Sequence, residues 1–476
     1  MKRFKIITLL LFGLLVSVGC DSDFEEINKD PNNPTSVPSS LLIPGVVRGA
    51  QNNSYSTFIG GDMGACWSQQ FAKVQYNDEE RYIPRQSVIT NVWDTWYSVV
   101  IADADAMHTI AAAEKNNNMM GVALTLQAYG YAFLTDVYGA IPFTEAMKAA
   151  TEGNIAPSYD SQEVVYTGVL KMLDEAISLL GTSGTIDGTN DILYKGNANL
   201  WKKFASSLKF RVLMRESGKK SVSAELQALV NAGNLFGSNA DDAKLVYLSA
   251  NPSANPLYES IVYGTRSEWK INSKMVDILT AAGDPRLAVY AQKNADGIYR
   301  GKPSGYNDVP SDDYNYTNVS ALGKFYLRPE LPGFFMSYPQ LQFLMAEAVT
   351  KGYISGNANT YYINGITASL QFNEVSGALI TSFLAERALS TTPAQALEQI
   401  ATQNWIALFS QGVESWNEWR RTRFPALTPA VNGAFNQIPY RYNYPTTESS
   451  VNKANYDAAV TAQGADLLTT KIWWMN

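Results

Sequence analysis

The sequence predicts a mainly α-helical protein, in which tetratricopeptide-like helix pairs form a scaffold for long irregular loops and few short strands. Three observations predict it. Apolar residues recur three or four positions apart through much of the chain, as they do on one face of a helix. Small residues such as Ala123, Ala128 and Ala132 fall where neighbouring helices must approach closely. Stretches rich in Gly, Pro, Asn, Ser and Tyr separate the periodic segments. No strict period of ~34 residues is visible, so the pairs are expected to form an irregular array interrupted by insertions.

At the N-terminus, Lys2, Arg3 and Lys5 precede an uncharged run from Ile6 to Val18. That run has the length of a signal-peptide core and falls short of the ~20 apolar residues that cross a bilayer. It ends in Ser17-Val18-Gly19-Cys20, where small residues give a lipoprotein signal peptidase access to the backbone. Residues 1–19 therefore read as a lipoprotein signal peptide and Cys20 as the lipid anchor. Ser17 departs from the usual pattern, which prefers Leu, Val or Ile at that position. Two or more acyl chains on Cys20 would hold the protein stably on a membrane. Residues 20–40 read as an acidic, Pro- and Asn-rich tether, and Asp21, Asp23, Glu25 and Glu26 look like a tag for export to the outer face of the cell. Residues 41–476 then make a single helical domain with loop insertions.

Within that domain Trp96, Tyr97, Val100, Ala104 and Met107 line one helical face, followed by Leu124, Ala128, Tyr131 and Leu134 on a second helix that stops at Gly139, before Pro142. Together these form a helical hairpin. Further stripes are Val165, Val169, Met172, Ala176 and Leu180; Trp201, Phe204, Leu208 and Val212; and Met275, Ile278 and Leu279. Then come Leu341, Leu344, Met345 and Ala348 behind Pro339; Tyr362, Ile366 and Leu370; and Leu397, Ile400, Ala401, Trp405 and Leu408. Trp93, Trp96, Trp201 and Trp405 sit on such stripes and are expected in the core. Irregular segments run over 21–40, 181–197, 294–333 and 422–452, and loops of this length inside a compact chain are usually functional.

Composition excludes several chemistries. A net charge of −7 argues against nucleic acid as a partner. With Cys20 lipidated, Cys66 has no disulfide partner and is expected as a small buried residue. The single histidine, His108, follows an apolar stripe and reads as a core or flanking residue. Asp308, Asp312 and Asp313 supply the hard oxygens that Ca²⁺ prefers, yet lack the alternation and glycine of an EF-hand, so a solvated loop is the better reading and no cofactor is expected. Glu414 and Glu418 lie four apart on one helical face, but the adjacent Arg420 and Arg421 make them an ion-pair network before an acid and base. There is no Gly-x-Ser-x-Gly, no metal-binding His pair and no phosphate-binding glycine loop, so no enzymatic activity is expected.

Several segments carry a family resemblance. They are Asn28-Lys29-Asp30-Pro31-Asn32-Asn33-Pro34, Leu134-Thr135-Asp136-Val137-Tyr138-Gly139-Ala140-Ile141-Pro142-Phe143, Gly283-Asp284-Pro285-Arg286-Leu287 and Gln342-Phe343-Leu344-Met345-Ala346-Glu347-Ala348. Trp405-Ile406-Ala407-Leu408-Phe409, the run Glu414 to Thr422, and Ile438-Pro439-Tyr440-Arg441-Tyr442-Asn443-Tyr444-Pro445 complete the set. In this order, behind a lipidated start, the chain resembles the SusD/RagB family of nutrient-binding lipoproteins. The resemblance implies a surface-exposed outer-membrane protein that captures oligosaccharides or peptides and delivers them to a SusC-like TonB-dependent transporter.

In a sugar site the apolar faces of pyranose rings stack on Tyr and Trp while hydroxyls bond Asp, Asn, Gln and Arg. Three aromatic-rich segments fit that description. From 67 to 82 the candidates are Trp67, Tyr76, Asn77, Asp78 and Tyr82; from 258 to 269, Tyr263, Arg266 and Trp269; and from 306 to 335, Tyr326 and Arg328, in a segment that also holds Tyr314 and Tyr316. Two other readings compete. A surface glycoside hydrolase needs two carboxylates facing each other across a cleft, and a non-catalytic helical-repeat scaffold would show no exposed aromatic platform away from its partner.

Overall fold

The structure is a computed structural model that describes residues 37–306 and 308–475. The signal segment, Cys20 and most of the tether lie outside the described residues. Helix α1, Ile43–Ser54, runs into a π-helix at Thr57–Ala65, and strand β1, Phe71–Lys73, follows. Helix α2, Gln86–Thr95, continues through a π-helical stretch, Trp96–Ile101, into α3, Ala102–Ala113. The wider π turn falls within the stripe read from the sequence, and Trp96, Val100, Ala104 and Met107 are all buried.

Helix α4, Asn117–Tyr138, is the central element. Asn116 caps it by accepting from the Met119 amide at 3.1 Å, and Gly139, at φ +91°, ends it where a side chain would be strained. It packs on α3 on one side and on α5, Gln162–Leu179, on the other, so every residue from Gly121 to Tyr138 is buried. Helix α6, Ala198–Glu216, pairs with α5, and α7, Ser223–Ala232, rests on α6. Strand β2 is Ala243–Leu245, and a third π-helix, Tyr258–Tyr263, precedes β3, Trp269–Ile271. Helix α8 is Ser273–Ala282 and strand β4 is Gly333–Met336. Helices α9, Tyr338–Thr350, and α10, Ala358–Phe372, form another pair; α11 is Gly377–Leu384. Then come α12, Pro393–Ala407, α13, Gly412–Thr422, and α14, Lys453–Gln463. The fold is thus mainly helical, as the periodicity predicts, with helix pairs and, among the described residues, four very short strands.

Helix α13 crosses the π-helix at 57–65 with backbone against backbone. A Cβ on Gly412 would stand 2.0 Å from the Gly60 carbonyl oxygen, and one on Gly64 would stand 2.5 Å from the Gly412 carbonyl carbon. Around this crossing runs a buried ionic seam. Arg215 of α6 reaches Glu414 at 2.8 Å and Glu418 at 2.9 Å; Arg421 reaches Glu418 at 2.7 Å and Glu347 of α9 at 2.6 Å. The expected network around Glu414 and Glu418 is therefore present with Arg421 in it. Arg420 takes another role, donating to the carbonyls of Asp136 and Tyr440 and lying 3.6 Å from the Trp416 ring centre.

Candidate ligand-binding surface

Strand β1 pairs antiparallel with β3, Phe71 opposite Ile271 and Lys73 opposite Trp269, and the ladder continues as the Val74 amide donates to the Glu268 carbonyl at 3.0 Å. Two of the three aromatic segments are thereby held side by side. The third joins them through side chains and backbone: the Tyr316 hydroxyl donates to Gln75 Oε1 at 2.7 Å, the Lys270 ammonium to the Tyr316 carbonyl at 3.0 Å, and the Tyr76 amide to the Asp308 carbonyl at 3.1 Å.

Four of the expected ligand residues belong to the core instead. Trp67 is buried, edge-on to Trp416 and Tyr442, with its Nε1 donating to the Glu79 carbonyl at 2.7 Å. Trp269 is buried and donates to Asp62 at 2.7 Å. Tyr82 is buried on Phe435, its hydroxyl accepting from the Ala430 amide. Tyr326 is buried among Tyr290 and Phe409 and donates to Asn373 at 2.8 Å. Their ring faces are already covered by protein, which leaves none for a saccharide. Asn77 is buried as well. Arg328 is exposed but is held at another place, stacked on Phe325 and paired with Glu374 at 2.9 Å.

What faces solvent is Tyr76 and Tyr263, each about 60 % exposed, with Asp78 and Arg266 beside them on their own segments. Asp78 pairs with Arg81 at 2.5 Å, and Arg81 also meets Asp308 at 3.4 Å. Tyr76 is built into the turn after β1 at a left-handed φ of +56°, a conformation uncommon for a bulky residue. Partly exposed Tyr306 and Tyr314 stand edge to face at 4.8 Å, and Asp313 accepts from the Tyr306 hydroxyl at 3.1 Å. Among the described residues no group of three or more His, Cys, Asp or Glu side chains is arranged to hold a metal ion.

Sequence reasoning passed over Phe58, Gln75 and Arg85. Arg85 lies 4.3 Å from the Phe58 ring centre and Arg266 lies 5.9 Å from it. Beneath them Asp62 pairs with Lys73 at 3.1 Å, and burial pushes the Asp62 carboxyl up to about 7 even with that lysine beside it. Burial likewise lowers Lys270 to about 8. Grooves of about 570, 520 and 480 Å³ lie elsewhere, the first lined by Trp93, Tyr97, Met147 and Ile155, the second by Arg48, Tyr194 and Tyr247 and the third by Tyr159, Gln162 and Trp473.

The family model described as "Starch-binding associating with outer membrane", of the SusD-like type, matches residues 31–445. The chain belongs to this SusD-like family. Three solved structures agree. A chitin-binding protein superposes with a TM-score of 0.83 at 25 % identity, over 92 % of this chain and 100 % of its own. A SusD homologue from Bacteroides fragilis gives 0.77 at 26 %, over 92 % and 99 %. A chitin-binding SusD homologue from Flavobacterium johnsoniae gives 0.77 at 23 %, over 92 % and 97 %, and speaks for the fold alone. Among curated proteins no match is found. SusD-like proteins of this description are outer-membrane-associated binding proteins and not enzymes. Among the described residues no helix of this SusD-like chain is long and apolar enough to cross a membrane.

Proposed function

We propose that this protein is a lipid-anchored surface protein that captures oligosaccharides on the patch around Tyr76, Tyr263 and Tyr316 and delivers them to a SusC-like TonB-dependent transporter. The observation that carries the reading is the convergence of the three aromatic segments on one surface, where exposed tyrosines lie among Gln75, Asp78, Arg85 and Arg266. Rings supply stacking area at low entropic cost, and the amide, carboxylate and guanidinium groups bond hydroxyls. The chitin-binding neighbour at 25 % identity and the starch-binding family description support a saccharide over a peptide. Attachment through Cys20 agrees with the family's association with the outer membrane. The glycoside hydrolase reading lacks a free carboxylate pair in Glu414 and Glu418, since both are engaged by Arg215 and one also by Arg421.

A glycan-array screen of the soluble protein, followed by calorimetric titration of the best hits, tests the reading. Tyr76→Ala with Tyr263→Ala is expected to weaken binding about thirtyfold, since stacked rings at the centre of a site contribute on the order of 2 kcal/mol. Undiminished affinity in that variant would show that the ligand sits elsewhere.

A further inference from the structure

The charges around Phe58 are layered. Arg85 and Arg266, on different segments, approach the same half-buried ring, at 4.3 and 5.9 Å from its centre. Each is partnered from below: Arg85 bonds Glu79, with Asp62 3.6 Å away, and Arg266 bonds Glu268. The side chains of Arg85 and Arg266 are 48 % and 41 % exposed, whereas those of Glu79 and Glu268 are each 4 % exposed and that of Asp62 is fully buried. Solvent therefore meets guanidinium groups, and the acids that hold them are hidden. Each observed bond uses one of the five donors an arginine carries, which leaves others for a ligand. Arg85 is also the N-cap residue of α2, whose first turn has no side-chain cap, so the positive end of that helix lies at the same place. Tyr316 continues the surface, its carbonyl accepting from the buried Lys270 ammonium at 3.0 Å. In a chain of net charge −7 this is a locally cationic spot against an aromatic floor.

We propose that Arg85 and Arg266 form an anion subsite of the saccharide patch, taking the carboxylate or sulfate of an acidic sugar whose ring lies against Phe58. The inference rests on the capture function proposed above and names its ligand class: acidic rather than neutral oligosaccharides. Planar guanidinium groups suit both anions, since each can bond two oxygens at once.

Calorimetric titration with three hexasaccharides tests this: a galacturonate oligomer, a keratan sulfate fragment, which carries sulfates and no uronate, and neutral chitohexaose. At least one acidic hexasaccharide is expected to bind tenfold or more tighter than the neutral one, with an affinity that falls as sodium chloride is raised, and the two acidic arms tell carboxylate from sulfate. Arg85→Gln with Arg266→Gln should remove the preference, bringing the acidic ligand down to the affinity that the neutral one shows for the same variant. Because that variant leaves Glu79 and Glu268 without their partners, Arg85→Lys with Arg266→Lys is measured beside it. It keeps both charges but loses the fork, and is expected to lose at least threefold for the acidic ligand. Equal affinity for acidic and neutral ligands, abolished by Tyr76→Ala with Tyr263→Ala, would overturn the anion subsite and leave the capture function standing. Binding of none of the three, or binding indifferent to the tyrosines, would overturn both.

Discussion

Replacing Trp67 by alanine separates a ring that holds the fold from one that holds a ligand. The indole is 1 % exposed, stands edge-on to Trp416 at 5.2 Å and to Tyr442 at 5.6 Å, and donates to the Glu79 carbonyl. Deleting a buried tryptophan costs about 3–5 kcal/mol, with the two ring contacts and the lost hydrogen bond inside that range. At roughly 2.1 cal/mol/K of unfolding entropy per residue, a chain of 476 residues melting as one unit has about 1 kcal/mol/K, so a loss of ~4 kcal/mol lowers Tm by about 4 °C. Differential scanning calorimetry reads the shift, and urea titration should show a lower midpoint at unchanged slope. Oligosaccharide affinity, measured well below the midpoint, should stay within about threefold of the parent. Tyr263→Ala is the mirror case, with unchanged melting and weakened binding, because its ring is 63 % exposed. A Trp67→Ala protein that melts like the parent but loses tenfold in affinity would refute the assignment of this ring to the core.

Three further outcomes follow from the same structure. Burial alone would raise Glu347, but Arg421 and Lys351 hold it at about 2, below its ordinary 4.5. The pair therefore contributes about 3 kcal/mol above pH 4.5 and loses it as pH falls towards 2, so urea midpoints of the parent and Glu347→Gln should differ at pH 7 and converge at pH 2. Gly412→Ala places a methyl 2.0 Å from the Gly60 carbonyl oxygen, a clash of backbone with no side chain to move aside. A loss of about 3 kcal/mol or more is expected, and normal yield and melting would show that the crossing can open. Cys20→Ser should leave the protein unacylated by mass spectrometry and shift it from the membrane to the soluble fraction of a cell lysate; an unchanged membrane share would place the anchor elsewhere.

The helices were legible because each buries a periodic face whose ends are marked locally. Asn116 and Gly139 bracket α4, and Pro339 opens α9 in the sequence as in the structure. Trp93, Trp96, Trp201 and Trp405 are buried where their stripes place them. The rings on loops carried no such information. Trp67, Tyr82, Trp269 and Tyr326 share the composition of Tyr76 and Tyr263, and what divides them is the β1–β3 pairing and the π-helix packed against α13, contacts between residues far apart in sequence. One local clue was available. Gly60, Gly61 and Gly64 between apolar residues announce a close backbone approach, which puts neighbouring Trp67 inside.

Phe58 and Arg85 offered no clue of this kind, since neither stands in an aromatic run and each acquires meaning only from the other. An isolated arginine near a helix start reads as a solvated end. It becomes a recognition element once its carboxylate partners are drawn inside, because the strand pairing that hides Trp269 also hides Glu268, and Glu79 is buried with its carbonyl accepting from the Trp67 indole. The burial that removed two tryptophans from the candidate surface is thus what leaves Arg85 and Arg266 facing outward with donors to spare. The aromatic core and the cationic patch are two sides of one packing arrangement.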